Sequence, residues 1–426
     1  MRKKTFQLPR KRPPERFLMQ PIKTEERSAD QEKPHRHQQV KSSLPISKYC
    51  SSNSFLPCQV YSVYSMQKPE LTKKTSITGP IKSAIFFLLS LPISIKCLNI
   101  MQTSSLRIGS LQLDNPIILA PMAGITSLPY RRIMKSFGAS LVFTEMVSAN
   151  GLIRDGRKTR ELLVSCREEA PLGIQLFGDD PSVLAEATRM IADECRLLDI
   201  NMGCPVKKVI RSGAGSALLK DPGRIEEIVT AVRSAYPGPL SVKIRSGWDA
   251  DSRNFLQIGQ IVEAAGADAV TLHPRTRSQA FSGKADWSEI GELKSKLRIP
   301  VFGSGDIFTA EDGIHMLQQT GCDALMIGRG GYGNPWLIRD ILTLLNDDTP
   351  TPVSIAEKHR VALKHLQLHR EQFGDRKTLF EMRKHLCWYA RGLTGAGRFR
   401  ATLQLVGNID RLIEQVDLFF HEAENR

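Results

Sequence analysis

The stretch Leu198–Pro205, LDINMGCP, decides how we interpret the fold. An apolar run gives way to Asn, Gly, Cys and Pro, as expected where a buried parallel strand opens into a loop. Gly203 lets the backbone approach a ligand closely, and Pro205 stops the strand. Cys204 is therefore predicted at the carboxyl end of a strand, where barrels of alternating strands and helices build their active sites. The alternative is that Cys204 is one more small buried side chain.

Eight apolar, β-rich segments alternate with amphipathic stretches downstream of Leu106, which is the pattern of repeated strand–helix units. The predicted strands are Ile117–Ala120, Leu141–Thr144, Leu172–Leu176, Leu197–Asn201, Leu240–Ile244, Ala269–Leu272, Pro300–Phe302 and Ala324–Ile327. Predicted helices include Pro181–Asp193, Arg224–Tyr236, Phe255–Ala265 and Ala310–Gln319, the last two stopped by Gly266 and Gly321. Eight such units predict a (β/α)8 barrel. A doubly wound open sheet competes, but its glycine-rich phosphate turn after the first strand is missing.

The net charge of +15 is concentrated at the amino-terminal end of the 426 residues. Residues 1–100 hold 18 Lys and Arg against 6 Asp and Glu, whereas the rest of the chain holds 41 against 38. We predict that residues 1–100 are a disordered basic extension that is dispensable or reflects a mis-assigned start codon, since Met101 opens a complete domain pattern. The apolar run at 84–95 is too short to span a bilayer. A membrane tether and a basic RNA-binding arm are the alternatives.

The eight cysteines include no CxxC pair and no regular spacing. This argues against a disulfide scaffold, a zinc site and an iron–sulfur cluster. We therefore expect a reduced, cytoplasmic protein without a metal ion. The protein is further expected to be a monomer with no membrane association and no stable protein partner.

Polar or glycine residues stand at the end of every predicted strand. In order they are APMAGIT (120–126), Glu145, Gln175 with Gly178, Asn201 with Cys204, Lys243 with Arg245, His273 with Arg275 and Arg277, GSGD (303–306) and GRGG (328–331). The last two loops are where barrels frequently bind phosphate, and Arg329 is a suitable bidentate partner. The small residues after the first strand, the amide of Gln175 and the charge of Lys243 then outline a flavin mononucleotide (FMN) site.

From about Leu106 to Leu418 the chain closely resembles the bacterial tRNA-dihydrouridine synthases, and most closely their B type. The resemblance rests on APMAGIT, FTEM, IQLFG, DINMGCPVKKV, GSALL, VKIRSGW, HPRTRSQAFSGKADW, MIGRGGYGNPW and MRKHLCWYARGL. It implies an FMN-binding barrel (residues 101–345) and a helical tRNA-binding domain (346–426). NADPH or NADH would reduce the flavin, which would then reduce uridines in tRNA to dihydrouridine.

By motif position, the resemblance implies that Cys204 is catalytic and protonates C5 of the uracil. The implied cofactor-binding residues are Pro121, Met122, Ala123, Gln175, Lys243, His273, Ser304, Gly305, Asp306, Gly328 and Arg329. The family usually has Asn where Ser304 stands. The expected substrate-binding residues are Asn201, Arg275, Arg277, Arg383, Lys384 and Arg391. Chemistry alone leaves Cys204 two roles, since a thiol can donate a proton or attack C6 as a nucleophile.

Beyond Pro350 the pattern is helical only, with a start at Ser354 and breaks near Gly374, Gly392 and Gly395. Residues 376–400 hold seven basic side chains and one acidic one, which favours a surface that tracks phosphates. Two other functions compete with tRNA reduction. One is a flavin barrel that reduces a free pyrimidine, as dihydroorotate dehydrogenases do, and the other is a non-catalytic RNA-binding protein.

Overall fold

The computed structural model describes residues 105–426, so the predicted extension over residues 1–100 lies outside the described residues. The strands are β1 Leu106–Ile108, β2 Leu111–Leu113, β3 Ile117–Leu119, β4 Val142–Phe143, β5 Val147–Ser148, β6 Leu172–Phe177, β7 Leu197–Asn201, β8 Leu240–Arg245, β9 Ala269–His273, β10 Val301–Ser304 and β11 Ala324–Ile327. The helices are α1 Leu128–Ser136, α2 Ala149–Ile153, α3 Arg157–Arg160, α4 Pro181–Ile191, α5 Lys207–Arg211, α6 Pro222–Ala235, α7 Phe255–Ala264, α8 Ser288–Lys296, α9 Ala310–Thr320, α10 Trp336–Leu345, α11 Ile355–Tyr389, α12 Ala396–Leu405 and α13 Ile409–Glu424.

The main sheet has nine parallel strands: eight follow the order β3-β11-β10-β9-β8-β7-β6-β4, and the short β5 also pairs with β6. A parallel bridge between Ile118 and Leu141 brings the two ends of this sheet together as a barrel. The predicted (β/α)8 barrel is therefore confirmed, and each predicted strand is present with its ends displaced by at most two residues. All five residues of β7 are buried, as the continuous apolar run before Asn201 indicated.

A hairpin of β1 and β2, which the sequence reasoning missed, closes the amino-terminal end of the barrel. Leu106 pairs with Leu113 in this hairpin. Its apolar side chains join a buried cluster with Phe143, Phe302 and Ala324, which lie on barrel strands. The hairpin covers this end, and the strands carry their polar residues at the opposite, carboxyl end.

Helix α9 shows how the barrel helices are delimited by their end residues. Thr309 and Asp312 form a reciprocal capping box at its start. Gly321 ends it in a left-handed conformation, with φ at 63°. The predicted helix Ala310–Gln319 thus extends one residue further, to Thr320.

We expect Gly321→Ala to lower the free energy of unfolding by roughly 1 kcal/mol, because alanine is strained at positive φ. No atom lies within 4 Å of a Cβ placed there, so a steric clash contributes nothing. Gly397→Ala is the matched control, since Gly397 lies inside α12 with equally open space around it. That substitution should stabilise the protein by about 0.5–1 kcal/mol. Urea unfolding of both variants checks the signs, and a stabilised Gly321→Ala protein would contradict this account.

The carboxyl-terminal helices pack against the barrel helices on one side. Helix α11 starts at the N-cap Ser354 and is interrupted at Gly374, whose φ of 74° and ψ of 173° are not helical. Its buried side chains, with those of α12 and α13, share one apolar cluster with Ile133 of α1 and Trp336 of α10. This cluster fixes α11 beside the first and last helices of the barrel. No helix between residues 105 and 426 is long and apolar enough to cross a bilayer.

Candidate active site

A cavity of about 300 Å³ opens at the carboxyl end of the barrel strands. Most of the residues that were assigned to a site from the sequence line it. They are Pro121, Met122, Ala123, Asn201, Cys204, Lys243, His273, Ser304, Gly305, Asp306, Gly328 and Arg329. The remaining six candidates, Gln175, Arg275, Arg277, Arg383, Lys384 and Arg391, are not among the lining residues. The topology therefore brings together strand ends that are far apart in sequence.

Cys204 lies in the loop after β7 and borders the cavity. Its backbone N–H donates to Oδ1 of Asn201 at 2.9 Å, and its carbonyl accepts from Oγ of Ser216 at 2.9 Å. Burial raises the pKa of the Cys204 thiol, and the N–H of Val206 and the charge of Arg245 offset this only in part. The thiol therefore carries its proton at neutral pH and can act as a proton donor.

A buried chain of hydrogen bonds holds Asn201 in place. The Asn201 side-chain amide donates to Gln175 at 2.8 Å, and the Gln175 amide donates to Asp199 at 2.6 Å. Ser241 donates to the second oxygen of Asp199 at 2.6 Å. Burial raises the pKa of Asp199 to about 6, so at neutral pH it is the anion that accepts both bonds. Gln175 thus supports the Cys204 loop from behind.

Lys243 and Arg245 alternate along β8 and bring two positive charges to the cavity wall. Burial, together with the neighbouring Arg245, lowers the pKa of Lys243 to about 8, although the charge of Asp199 opposes this shift. Lys243 therefore remains largely charged at pH 7. Arg245 is fixed by donating to the carbonyls of Gly203 and Ala280, both at 2.8 Å. The sequence reasoning noted Arg245 at a strand end but did not assign it to the site.

Asp306, in the loop after β10, organises its part of the cavity wall through two arginines. It accepts two hydrogen bonds from Arg275, at 2.9 and 2.7 Å, and one from Arg329 at 3.2 Å. Burial would raise the pKa of Asp306, but these bonds and the N–H of Ala285 outweigh it and hold the pKa below its ordinary value. The Arg275 guanidinium is buried and also donates to Gly283 at 2.6 Å. Arg275 therefore links its own loop to Asp306 in the loop after β10.

His273 lies at the end of β9 and lines the cavity. Burial, with the charges of Arg245 and Lys243, lowers the pKa of His273 well below its ordinary value. The imidazole is therefore neutral at physiological pH. A neutral ring beside several cations can accept a hydrogen bond from a ligand or donate one, but adds no charge.

Two exposed aromatic rings lie at the mouth of the cavity, and the sequence reasoning missed both. Phe281 is 53% exposed and Phe308 is 46% exposed. The guanidinium of Arg329 lies 4.7 Å from the Phe281 ring centre and 5.6 Å from that of Phe308. Each Phe stands alone in an otherwise polar loop, Phe281 in RSQAFSGK and Phe308 in GDIFTAED. Because large exposed rings are unusual in such loops, this isolation was the sequence signal for a binding role. The rings offer stacking surfaces at the entrance.

The other basic residues that were expected to bind the substrate also lie outside the cavity. They are Arg277, Arg383, Lys384 and Arg391. The Arg277 guanidinium and the Lys220 ammonium both lie over the Trp248 ring, at 4.4 and 3.8 Å from its centre. Arg383 donates to the carbonyl of Val406 at 2.7 Å, and Lys384 donates to the carbonyl of Gly124. Arg391 is exposed just after the end of α11.

Comparison with known proteins agrees with the resemblance seen in the motifs. Residues 118–424 match the Dihydrouridine synthase (Dus) family. The tRNA-dihydrouridine synthase B of Pseudomonas aeruginosa is 39% identical over 324 residues, which cover 76% of this chain and 98% of that protein. Its counterpart in Pasteurella multocida is 40% identical over 318 residues, 74% and 96% of the two chains. A probable tRNA-dihydrouridine synthase of Rickettsia bellii is 36% identical over 325 residues, 75% and 99% of the two chains. The chain therefore belongs to the dihydrouridine synthase family.

Proposed function

We propose that the protein reduces the C5–C6 double bond of specific uridines in tRNA, with FMN as cofactor and NADPH or NADH as the source of electrons. Its family makes it an oxidoreductase that acts on tRNA. The observation that carries the proposal is the position of Cys204 at the edge of a cavity lined by three basic side chains, Lys243, Arg245 and Arg329.

The lining residues fit FMN in shape and in charge. Ala120, Met122 and Met326 supply apolar surface for a flat ring. A Cβ placed on Gly328 would lie 3.9 Å from the side chains of Ala120 and Met122. Because glycine has no side chain, the space between Gly328 and these two residues stays open. Arg329 is the partner for the phosphate, and Lys243 for the pyrimidine part of the ring, where the reduced flavin is negatively charged. Pro121, Ala123, His273, Ser304 and Gly305 complete the proposed cofactor site.

Cys204 acts on the uracil in this proposal, and Asn201 holds Cys204 in place. Bound FMN supplies the hydride that reaches C6. The Sγ–H bond of Cys204 then breaks, its proton joins C5, and the thiolate regains a proton from solvent. Asn201 fixes the loop that carries the thiol, with Gln175 and Asp199 behind it. Arg245 stabilises the negative charge that develops on the uracil as the hydride arrives.

The tRNA substrate reaches the cavity with its uridine turned out of the RNA stack, because a stacked base cannot enter. The exposed rings of Phe281 and Phe308 are placed to stack on the extruded nucleotide or on its neighbours. Arg277 and Lys220 on the barrel, with Arg391 on the helical side, supply positive charge for phosphates. Arg383, whose guanidinium donates to the Val406 carbonyl, is a further basic side chain for the tRNA in this proposal.

Dihydrouridine in tRNA from a strain that lacks the gene tests the proposal. We expect at least one dihydrouridine position to revert to uridine, as measured by mass spectrometry of tRNA fragments. The wild-type gene should restore the modification, whereas a gene encoding Cys204→Ala should not. An unchanged dihydrouridine pattern in the deletion strain would contradict the proposal.

A further inference from the structure

Two side chains of α11 contact the backs of two loops that line the cavity. Lys384 and Trp388 are four residues apart, so they lie on the same face of the helix. Neither side chain lines the cavity itself. The cavity therefore receives support from the carboxyl-terminal helices and not from the barrel alone.

Lys384 acts on the loop that follows β3. Its ammonium group donates to the carbonyl of Gly124, while the N–H of Gly124 donates to the carboxylate of Glu145. Gly124 directly follows Met122 and Ala123, which line the cavity. The peptide groups on both sides of Gly124 are thus held from outside, one by the helical region and one by the barrel.

Trp388 acts on the loop that follows β11. Its ring stacks on Tyr332 with 4.2 Å between ring centres and 14° between the planes. Tyr332 lines the cavity two residues beyond Gly330, which also lines it. The backbone of α11 lies close to this loop at Gly333. A Cβ on Gly333 would lie only 2.3 Å from the Trp388 carbonyl carbon, so no larger residue fits there. The loop proposed to hold the phosphate is therefore fixed against α11.

We infer that Lys384 and Trp388 are positioning residues for the cofactor, and that Lys384 serves FMN binding more than tRNA binding. This inference rests on the proposed function, since it takes FMN as the occupant of the cavity. The two contacts fix the loops that follow β3 and β11, which are neighbouring strands of the barrel. Loosening either loop costs ordering free energy when the cofactor binds.

The test compares FMN dissociation constants, measured by quenching of flavin fluorescence, for full-length apo-protein variants. Lys384→Met should weaken FMN binding by roughly three- to tenfold, the size expected for one lost hydrogen bond. Lys384→Arg keeps a donor and should restore the wild-type value. Lys377→Met is the matched control, because Lys377 lies two turns earlier on α11 and pairs with Glu381. Its FMN affinity should equal that of the wild type.

A second set of variants and a second ligand keep the test decisive. Trp388→Leu should also weaken FMN binding by several-fold, and Trp388→Phe should recover most of it because a stacked ring is retained. Filter binding should give a tRNA dissociation constant for Lys384→Met that differs from the wild type by less than about twofold. Wild-type FMN affinity in both Lys384→Met and Trp388→Leu would overturn the inference, as would a loss confined to tRNA binding. Failure of the wild-type protein to bind FMN would instead remove the proposed function itself.

Discussion

Cys204→Ala is expected to lower the rate of uracil reduction by roughly a hundred- to ten-thousandfold, the range typical of a lost general acid. FMN binding, flavin reduction by NADPH and tRNA binding should remain intact, because none of these steps moves the thiol proton. The measurement is single-turnover oxidation of the reduced flavin by unmodified tRNA under anaerobic conditions. Each of the unaffected steps is measured separately on the same protein.

Cys322→Ala is the matched control for a purely structural cysteine. Cys322 is buried in the same core cluster as the barrel strands and lies outside the cavity. Its replacement should lower the free energy of unfolding by about 1–3 kcal/mol and leave the chemistry unchanged. If Cys204→Ala behaves like Cys322→Ala, with normal flavin reoxidation and lowered stability, Cys204 is a packing residue and the assignment is wrong.

The two chemical roles of Cys204 predict different covalent states. A proton donor never bonds to the uracil, whereas a nucleophile would form a thioether at C6. Mass spectrometry of denatured protein, sampled during turnover, should therefore show no protein–tRNA adduct. A trapped adduct at Cys204 would establish the nucleophilic role instead.

Lys243→Ala is expected to weaken FMN binding by roughly ten- to a hundredfold at pH 7, because it removes a charged hydrogen-bond donor. The pKa of Lys243, lowered to about 8, adds a pH dependence. The ammonium is charged below this value and neutral above it, so wild-type FMN affinity should fall as the pH rises through about 8. Titration of apo-protein with FMN from about pH 6 to about pH 9.5 spans the pKa of Lys243. It measures both the loss of affinity in Lys243→Ala and the pH dependence of the wild type.

Two variants control for this prediction. Lys243→Arg retains a positive charge throughout the range and should lose the decline near pH 8. Lys294→Ala removes a lysine that pairs with Asp323 at 2.7 Å, outside the cavity, and should bind FMN as the wild type does. Equal FMN affinity in Lys243→Ala and wild type would remove Lys243 from the cofactor site.

The barrel was predictable because each strand is a short apolar run that ends in polar or glycine residues. Burial on both faces of a parallel strand leaves this run in the sequence itself, as in β7. The hairpin of β1 and β2 was missed because each strand has only three residues, with Arg107 and Gln112 facing solvent. Such short strands give too little alternation for a pattern to be recognised.

The site was predictable as a set of strand ends but not as a set of contacts. Gln175 donates to Asp199, 24 residues away, and Arg275 to Asp306, 31 residues away. Lys384 donates to Gly124, 260 residues away. A basic or amide side chain at a strand end can face a ligand or a neighbouring loop, and only the folded arrangement distinguishes the two. The sequence could therefore locate these residues at the active-site end without assigning their partners.

The most direct test is to incubate the purified protein with FMN, NADPH and unmodified tRNA under anaerobic conditions. The nucleosides are then analysed by mass spectrometry. We expect dihydrouridine to form at a defined position when all components are present, and not when Cys204→Ala replaces the wild-type protein. Free uridine should be reduced far more slowly, because it lacks the phosphates that contact the basic surface. Absence of dihydrouridine in the tRNA, with FMN demonstrably bound, would contradict the proposed function.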